Sequence, residues 1–186
     1  SRLPSQLEQE LSCIAVDWRK RVVFKAELKP SQMNRFDCTF EKIDAKPKPK
    51  LQPENGKITF ITDHLEVIVS TITGLIDKYC VNGTNLIKPD SFEPIVMADD
   101  SDPWGMLQNS YRNIAGRFTL MNKQAGTKFS GIEDVQLDSV RIIEDGPVRS
   151  VIEAVMAYND SFICQRYILP KNGTQIEIET RIHWNE

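Results

Sequence analysis

Gln175-Ile-Glu-Ile-Glu-Thr-Arg-Ile-His-Trp-Asn-Glu186 alternates apolar and polar residues almost without interruption. Ile176, Ile178, Thr180, Ile182 and Trp184 fall on one face of such a segment, and Gln175, Glu177, Glu179, Arg181 and His183 on the other, as the two-residue period of a pleated strand requires. No turn or cap follows Trp184-Asn185-Glu186. The segment therefore reads as a strand from within a larger sheet, and the 186-residue chain as a portion of a longer protein.

Upstream, the same signal recurs at hairpin spacing. Residues 58–61 and 65–69 read as a first pair of strands, and Thr73-Gly74 separates them from a third at 75–80. Asn82-Gly83 follows, and both residues tolerate positive φ, which tight hairpins demand. Further strands are expected at 95–98, 116–120, 135–143, 148–158 and 162–169, joined by Glu144-Asp-Gly-Pro147, Asn159-Asp160 and Lys171-Asn-Gly173. The 148–158 strand is apolar on both faces and belongs in the centre of its sheet. No segment carries a sustained helical period with caps at both ends; the best candidate is a short turn of helix near 104–111. The class is all-β, a large antiparallel β-sandwich.

Lys46-Pro-Lys-Pro-Lys-Leu-Gln-Pro53 is charged and proline-rich, suited to extended polyproline geometry and unsuited to a sheet ladder. It divides the chain into residues 1–45, a linker at 46–53, and a sandwich portion at 54–186. The first part holds three expected strands, at 13–18, 22–28 and 35–43, too few for a sandwich alone, and reads as the end of a small β-domain.

Composition narrows the function classes. Twenty-three Lys and Arg against 26 Asp and Glu give a net charge of −3, with the signs interspersed. No basic block interleaved with aromatics points to nucleic acid. No apolar run approaches the roughly 20 residues that span a bilayer, and no signal-peptide pattern opens the chain, so a cytoplasmic location is expected. Cys13, Cys38, Cys80 and Cys164 are far apart in or beside apolar stretches and lack metal-ligand spacing; buried, reduced thiols are expected. Sequons at Asn82, Asn159 and Asn172 sit in expected turns, where asparagine is favoured for backbone reasons.

Chemistry-bearing residues are sparse. His64 and His183 are the only histidines. Neither accompanies a nucleophile motif, and both read as surface imidazoles. Glu177 and Glu179 share a strand face with Arg181, but a glycosidase carboxylate pair acts across a cleft. The densest polar cluster is Ala98-Asp-Asp-Ser-Asp-Pro-Trp-Gly105. It is not an EF-hand, because Tyr111 stands where a bidentate glutamate is needed. An indole stacks on the apolar C–H face of a sugar while neighbouring carboxylates accept its hydroxyls, so Asp100, Asp102 and Trp104 are candidate carbohydrate contacts. The plainer reading is a solvated acidic loop whose tryptophan anchors it to the core. No catalytic residue and no metal ligand is assigned.

Three stretches resemble the C-terminal β-region of the glycoside hydrolase family 38 α-mannosidases. Ile58-Thr-Phe-Ile-Thr-Asp-His-Leu-Glu-Val-Ile-Val-Ser-Thr-Ile-Thr-Gly-Leu-Ile-Asp-Lys78 is similar to the family's opening hairpin, and Ser101-Asp-Pro-Trp-Gly105 to its Asp-x-Trp loop. Residues 175–186 resemble its Glu-x-x-Thr-x-Val-Asp-Trp-x-Glu strand, with His183 where aspartate is usual. The resemblance implies a galactose-mutarotase-like supersandwich, incomplete here. It also implies a catalytic zinc site in a separate N-terminal α/β barrel, so no cofactor is expected in this portion and no catalytic residue is carried over. The expected function is the non-catalytic sandwich of a retaining α-mannosidase acting on terminal α-mannosides. Its expected partners are the parent's catalytic domain and, through an exposed sheet edge, another copy of the chain, unless the N-terminal strands cover that edge. The alternative is a stand-alone carbohydrate-binding or structural, oligomerising module.

Overall fold

The computed structural model describes residues 2–8, 20–39, 41–42, 45, 47–99, 111–131 and 135–186. Two short strands, β1 (Ser5–Leu7) and β2 (Val22–Phe24), form an antiparallel ribbon. Next comes a five-stranded antiparallel sheet in chain order: β3 (Pro53–Glu54), β4 (Lys57–Ile61), β5 (Leu65–Ser70), β6 (Ile76–Val81) and β7 (Thr84–Asn85). A second ribbon pairs β8 (Ile95–Met97) with β9 (Ile114–Arg117). The chain continues through β10 (Thr119–Leu120), helix α1 (Lys123–Phe129), β11 (Val140–Asp145), β12 (Arg149–Tyr158), β13 (Ser161–Pro170) and β14 (Glu177–His183). These last five strands make the second large sheet. β12 is paired with β13 along all ten residues; β10 and β11 share its other side, and β14 follows β13.

The two large sheets pack face to face, as a sandwich does. Ile58, Phe60, Leu65, Val67, Val69 and Ile76 of the first join Ile152, Ala154, Met156, Ile163, Tyr167 and Leu169 of the second in one buried cluster. Each fully buried aliphatic or aromatic side chain of this kind contributes on the order of 1.5–3 kcal/mol. At the centre, the Tyr167 hydroxyl donates to the Gly74 carbonyl at 2.7 Å, and Gln165 Nε2 donates to the Tyr167 oxygen at 2.8 Å and to the Phe92 carbonyl at 3.1 Å. Burial pushes the Tyr167 phenol up to about 12. It stays a neutral donor.

The other face of β12 is covered too, since Val151 and Val155 are as buried as their neighbours on the core side. Asn122 caps α1 through its side-chain oxygen, which accepts from Ala125 N at 2.8 Å. Helix α1 is fastened beside β11 where Thr127 Oγ1 accepts from Leu137 N at 2.9 Å and Arg141 Nη2 donates to the Gly126 carbonyl at 3.1 Å. Phe129 meets Phe162 of β13 edge-on at 4.9 Å. At the opposite end, the β1–β2 ribbon docks through Gln6. Its Oε1 accepts from Val148 N and Arg149 N at 2.9 and 3.0 Å, and its Nε2 donates to Glu144 at 3.1 Å.

The all-β class, the hairpins and the central place of the 148–158 strand stand as expected. Several local expectations do not. α1 lies where no helix was expected, because seven residues with Gly126 among them carry no helical stripe. The stretch expected to avoid a ladder supplies one: Pro53 pairs with Ile58 in β3, an edge position where a missing N–H is tolerated. The 22–28 strand stops at Phe24, the 135–143 strand begins only at Val140, and the described residues of 35–43 form no strand. The 13–18 strand and residues 104–110 of the expected helical turn lie outside the described residues. Cys80 and Cys164 are buried free thiols, whereas Cys38 is free but exposed. The N-terminal ribbon lies at the β11–β12 end of its sheet and does not pair with β14.

Gly74 tolerates no side chain for two reasons at once. It has φ +76°, and a Cβ there would meet Leu120 Cδ1 at 2.9 Å, Ala154 Cβ at 3.0 Å and Met156 Cε at 3.1 Å. Gly74→Ala combines left-handed strain with overpacking and should cost about 2–4 kcal/mol in urea unfolding. A loss below about 1 kcal/mol would show that the sheets slide apart easily at this contact.

Candidate functional site

Strand β14 continues the pleat into Trp184, so the indole falls on the core side of its sheet but beyond the reach of the first sheet. It remains 53% exposed. Its ring lies nearly parallel to that of Tyr158, at 8° and 6.4 Å between centroids, and Phe118 tilts against both at 5.8 and 6.5 Å. Gly116 of β9 sits directly on the Tyr158 ring, where a Cβ would collide with Cε2. The aromatic cluster thus abuts the β8–β9 ribbon.

Glu186 explains the polar end of the Trp-x-Glu segment. Its carboxylate accepts from Asn159 Nδ2 at 3.0 Å, Asp160 N at 3.1 Å and Ser161 Oγ at 2.8 Å, clasping the β12–β13 turn. Those hydrogen bonds, Asn159 first, hold its carboxyl below the usual range. Asn159 adopts φ +44° in that turn and Asn82 φ +48° in the β6–β7 turn, as expected for asparagine at tight hairpins.

Asp100, Asp102 and Trp104 lie outside the described residues. The described strands flanking them in sequence, β8 and β9, pair with each other, and Ala98 N donates to the Asn113 carbonyl at 2.7 Å. His64 and His183 are both exposed, as expected. His64 Nδ1 lies 3.1 Å from Asn82 Oδ1, and His183 stacks on Phe162 at 4.6 Å. Nothing brings the two imidazoles together. Among the described residues, no group of three or more His, Cys, Asp or Glu side chains is arranged to hold a metal ion.

An open depression of about 500 Å³ lies between the β4–β5 and β13–β14 turns, lined by Thr62, Asp63, His64, Lys171, Asn172 and Gly173. Lys171 is already engaged there: its ammonium is 2.8 Å from Asp145 Oδ1 and 4.9 Å from the centroid of the Phe60 ring. Cys164 is equally committed. Burial, reinforced by the Glu153 carboxylate, pushes its thiol up to about 12, so it is not a nucleophile at neutral pH.

The sandwich described above agrees with one family. Residues 61–186 match the model of the glycosyl hydrolases family 38 C-terminal domain. The chain belongs to that family. The match runs from the last residue of β4 to Glu186, so the β1–β2 ribbon and β3 lie outside it. No curated protein and no solved structure matches the chain. Membership in family 38 makes the chain part of a glycoside hydrolase. No helix among the described residues is long and apolar enough to cross a membrane.

Sequence reading missed Trp184 as a surface group, because alternation reports which face a residue is on and not how far the opposite sheet extends.

A buried acid-sensitive tie of the family 38 sandwich lies at Asp145. Asp145 is 3% exposed, and its Oδ2 accepts from Lys50 N and Leu51 N at 2.7 and 2.9 Å while Oδ1 takes Ser150 and Lys171. Burial pushes its carboxyl up, but Lys171, Ser150 and Leu51 outweigh that and bring it from 3.8 to about 2. Its folded value is below its unfolded one, so the stabilisation is complete above about pH 3.8 and is lost as pH falls toward 2. The difference amounts to about 2 kcal/mol. Urea midpoints of the protein and of Asp145→Asn should differ most near neutrality and converge across this window; a constant gap would show that the carboxylate charge is not what Asp145 contributes.

Proposed function

We propose that this chain is the non-catalytic β-sandwich portion of a retaining α-mannosidase, a family 38 enzyme acting on terminal α-mannosides. It buttresses a separate zinc-dependent catalytic domain and lends Asp100, Asp102 and Trp104 to the rim of the substrate site. The observation that carries this reading is the family match across residues 61–186. The order of the three resembling stretches supports the mannosidase assignment. The pairing of β8 with β9 supports the rim, because a paired stem holds the ends of the intervening segment together next to the aromatic cluster. Hydrolysis of an aryl α-mannoside, with and without added zinc, compares the chain with its full-length parent. Activity is expected in the parent and absent from the chain alone. Asp102→Ala and Trp104→Ala in the parent should raise KM several-fold; unchanged kinetics would remove the rim role. An inactive parent would overturn the enzyme assignment.

One observation favours the second reading, a carbohydrate-binding module. Trp184 and Tyr158 present nearly parallel rings, half-exposed at the indole, which is the kind of flat surface on which a pyranose stacks. Calorimetric titration of the isolated chain with methyl α-mannoside, repeated on Trp184→Ala, separates the two. Binding lost with the indole would support the module; no binding would leave the enzyme portion alone.

A further inference from the structure

Three Asn-Gly dipeptides stand in this chain: Asn55-Gly56, Asn82-Gly83 and Asn172-Gly173. Asparagine is thermolabile, and glycine is the follower that least obstructs its loss of ammonia, because without a Cβ its nitrogen can approach the asparagine side chain. The fold treats the three unequally. Asn55 and Asn82 each open a two-residue hairpin loop closed by a ladder pair, Glu54 with Lys57 and Val81 with Thr84. Both are left-handed, with φ +49° and +48°, and the glycines after them have φ +77° and +83°. In that conformation the glycine nitrogen stands on the far side of the Cα–C bond from the asparagine Cβ. Attack on the side chain requires the turn to be undone first.

Asn172 is under no such restraint. It lies in the connection between β13 and β14, outside the ladder, with a negative φ and an exposed side chain. Asn172 and Gly173 line the open depression beside the β4–β5 turn, so water reaches both. The Gly173 N–H donates to no described backbone carbonyl, and a Cβ at that position would meet nothing nearer than Lys25 Nζ at 4.0 Å. Lys25 Nζ donates to the Asn172 carbonyl at 3.0 Å. That ammonium draws charge from the peptide whose nitrogen must attack, and eases the loss of its proton. We infer that Asn172 is a site of self-modification, at which Lys25 assists conversion of the asparagine to aspartate and isoaspartate. The Gly173 nitrogen loses its proton and bonds to Asn172 Cγ, the Cγ–Nδ2 bond breaks, and Nδ2 leaves as ammonia. Water then opens the cyclic imide at either carbonyl and returns a proton to the nitrogen. The sum consumes one water and yields a carboxylate and an ammonium ion, with no oxidant or reductant. The new carboxylate lies at the contact between the segment following β2 and the β13–β14 connection. The inference is independent of the mannosidase reading.

Peptide mapping by mass spectrometry tests it on the 186-residue chain, incubated folded and in urea in mildly alkaline buffer. Opening a hairpin turn costs at least a ladder hydrogen bond, so in the folded chain acid should accumulate at Asn172 about ten-fold or more faster than at Asn55 or Asn82. In urea the turns are gone, and the three sites should convert at comparable rates. Lys25→Met should slow conversion at Asn172 several-fold in the folded chain and leave the rate in urea unchanged. Asn172→Gln should abolish the acidic species, one charge more negative than −3, that isoelectric focusing resolves. Equal rates at the three sites of the folded chain would overturn the inference, as would a folded chain that keeps Asn172 intact while the unfolded chain loses it. An unchanged folded-state rate in the Lys25 variant would overturn the lysine's part.

Discussion

The two large sheets are tied together at Gly74, and the neighbouring packing is arranged around that contact. A glycine with positive φ lets the β5–β6 turn drop its carbonyl onto the Tyr167 hydroxyl while Ala154, Met156 and Leu120 close in where a side chain would otherwise stand. The position of β12 and β13 relative to β5 is thereby fixed in the plane of the sheets, which apolar packing alone does not fix. Gln165 extends the tie by holding Tyr167 and the Phe92 carbonyl, so the segment leading into β8 is anchored to the same point. A neutral phenol buried among isoleucines is stable there only because both its donor and its acceptor capacity are used.

Legibility from the sequence tracked the physical strength of each local signal. β4, β5, β12, β13 and β14 combine alternation or continuous apolarity with turn residues of restricted geometry, and all form. β3 was hidden because proline excludes a strand only where both edges are paired. α1 was hidden because its hold on the sheet comes from a cap at Asn122, the Thr127 hydroxyl and the carbonyl of Gly126, none of which produces a hydrophobic period. The described residues of 35–43 carry β-favouring side chains but pair with no described strand, and propensity without a partner makes no ladder.

The candidate site was less legible for a related reason. Composition found the acidic tryptophan segment, and the resemblance gave it a role, but pattern says nothing about where a segment between β8 and β9 is held. Trp184 was placed on the correct face, but the face alone does not say that its indole stays half-exposed. The Glu186 clasp was invisible, since a carboxylate two residues beyond a tryptophan gains meaning only once β14 has brought it beside the β12–β13 turn. Strand register, a long-range property, converts these residues from a list into a surface.

The outer face of the second sheet shows how charge and burial coexist in such a fold. Helix α1 and the β1–β2 ribbon cover its two ends, and between them the buried Glu153 would be costly if isolated. Arg166, itself only 14% exposed, meets that cost by directing Nε and Nη2 at the same carboxylate oxygen. Burial raises the neighbouring Cys164 thiol, and within the pair the Glu153 carboxylate adds to that more than Arg166 takes away. An acidic group, a basic group and a sulfur side by side therefore form a structural joint and not a reactive centre. The same alternation of sign that holds Glu153 inside the protein extends outward through Arg166 to Glu179, where the described sheet ends on an exposed carboxylate.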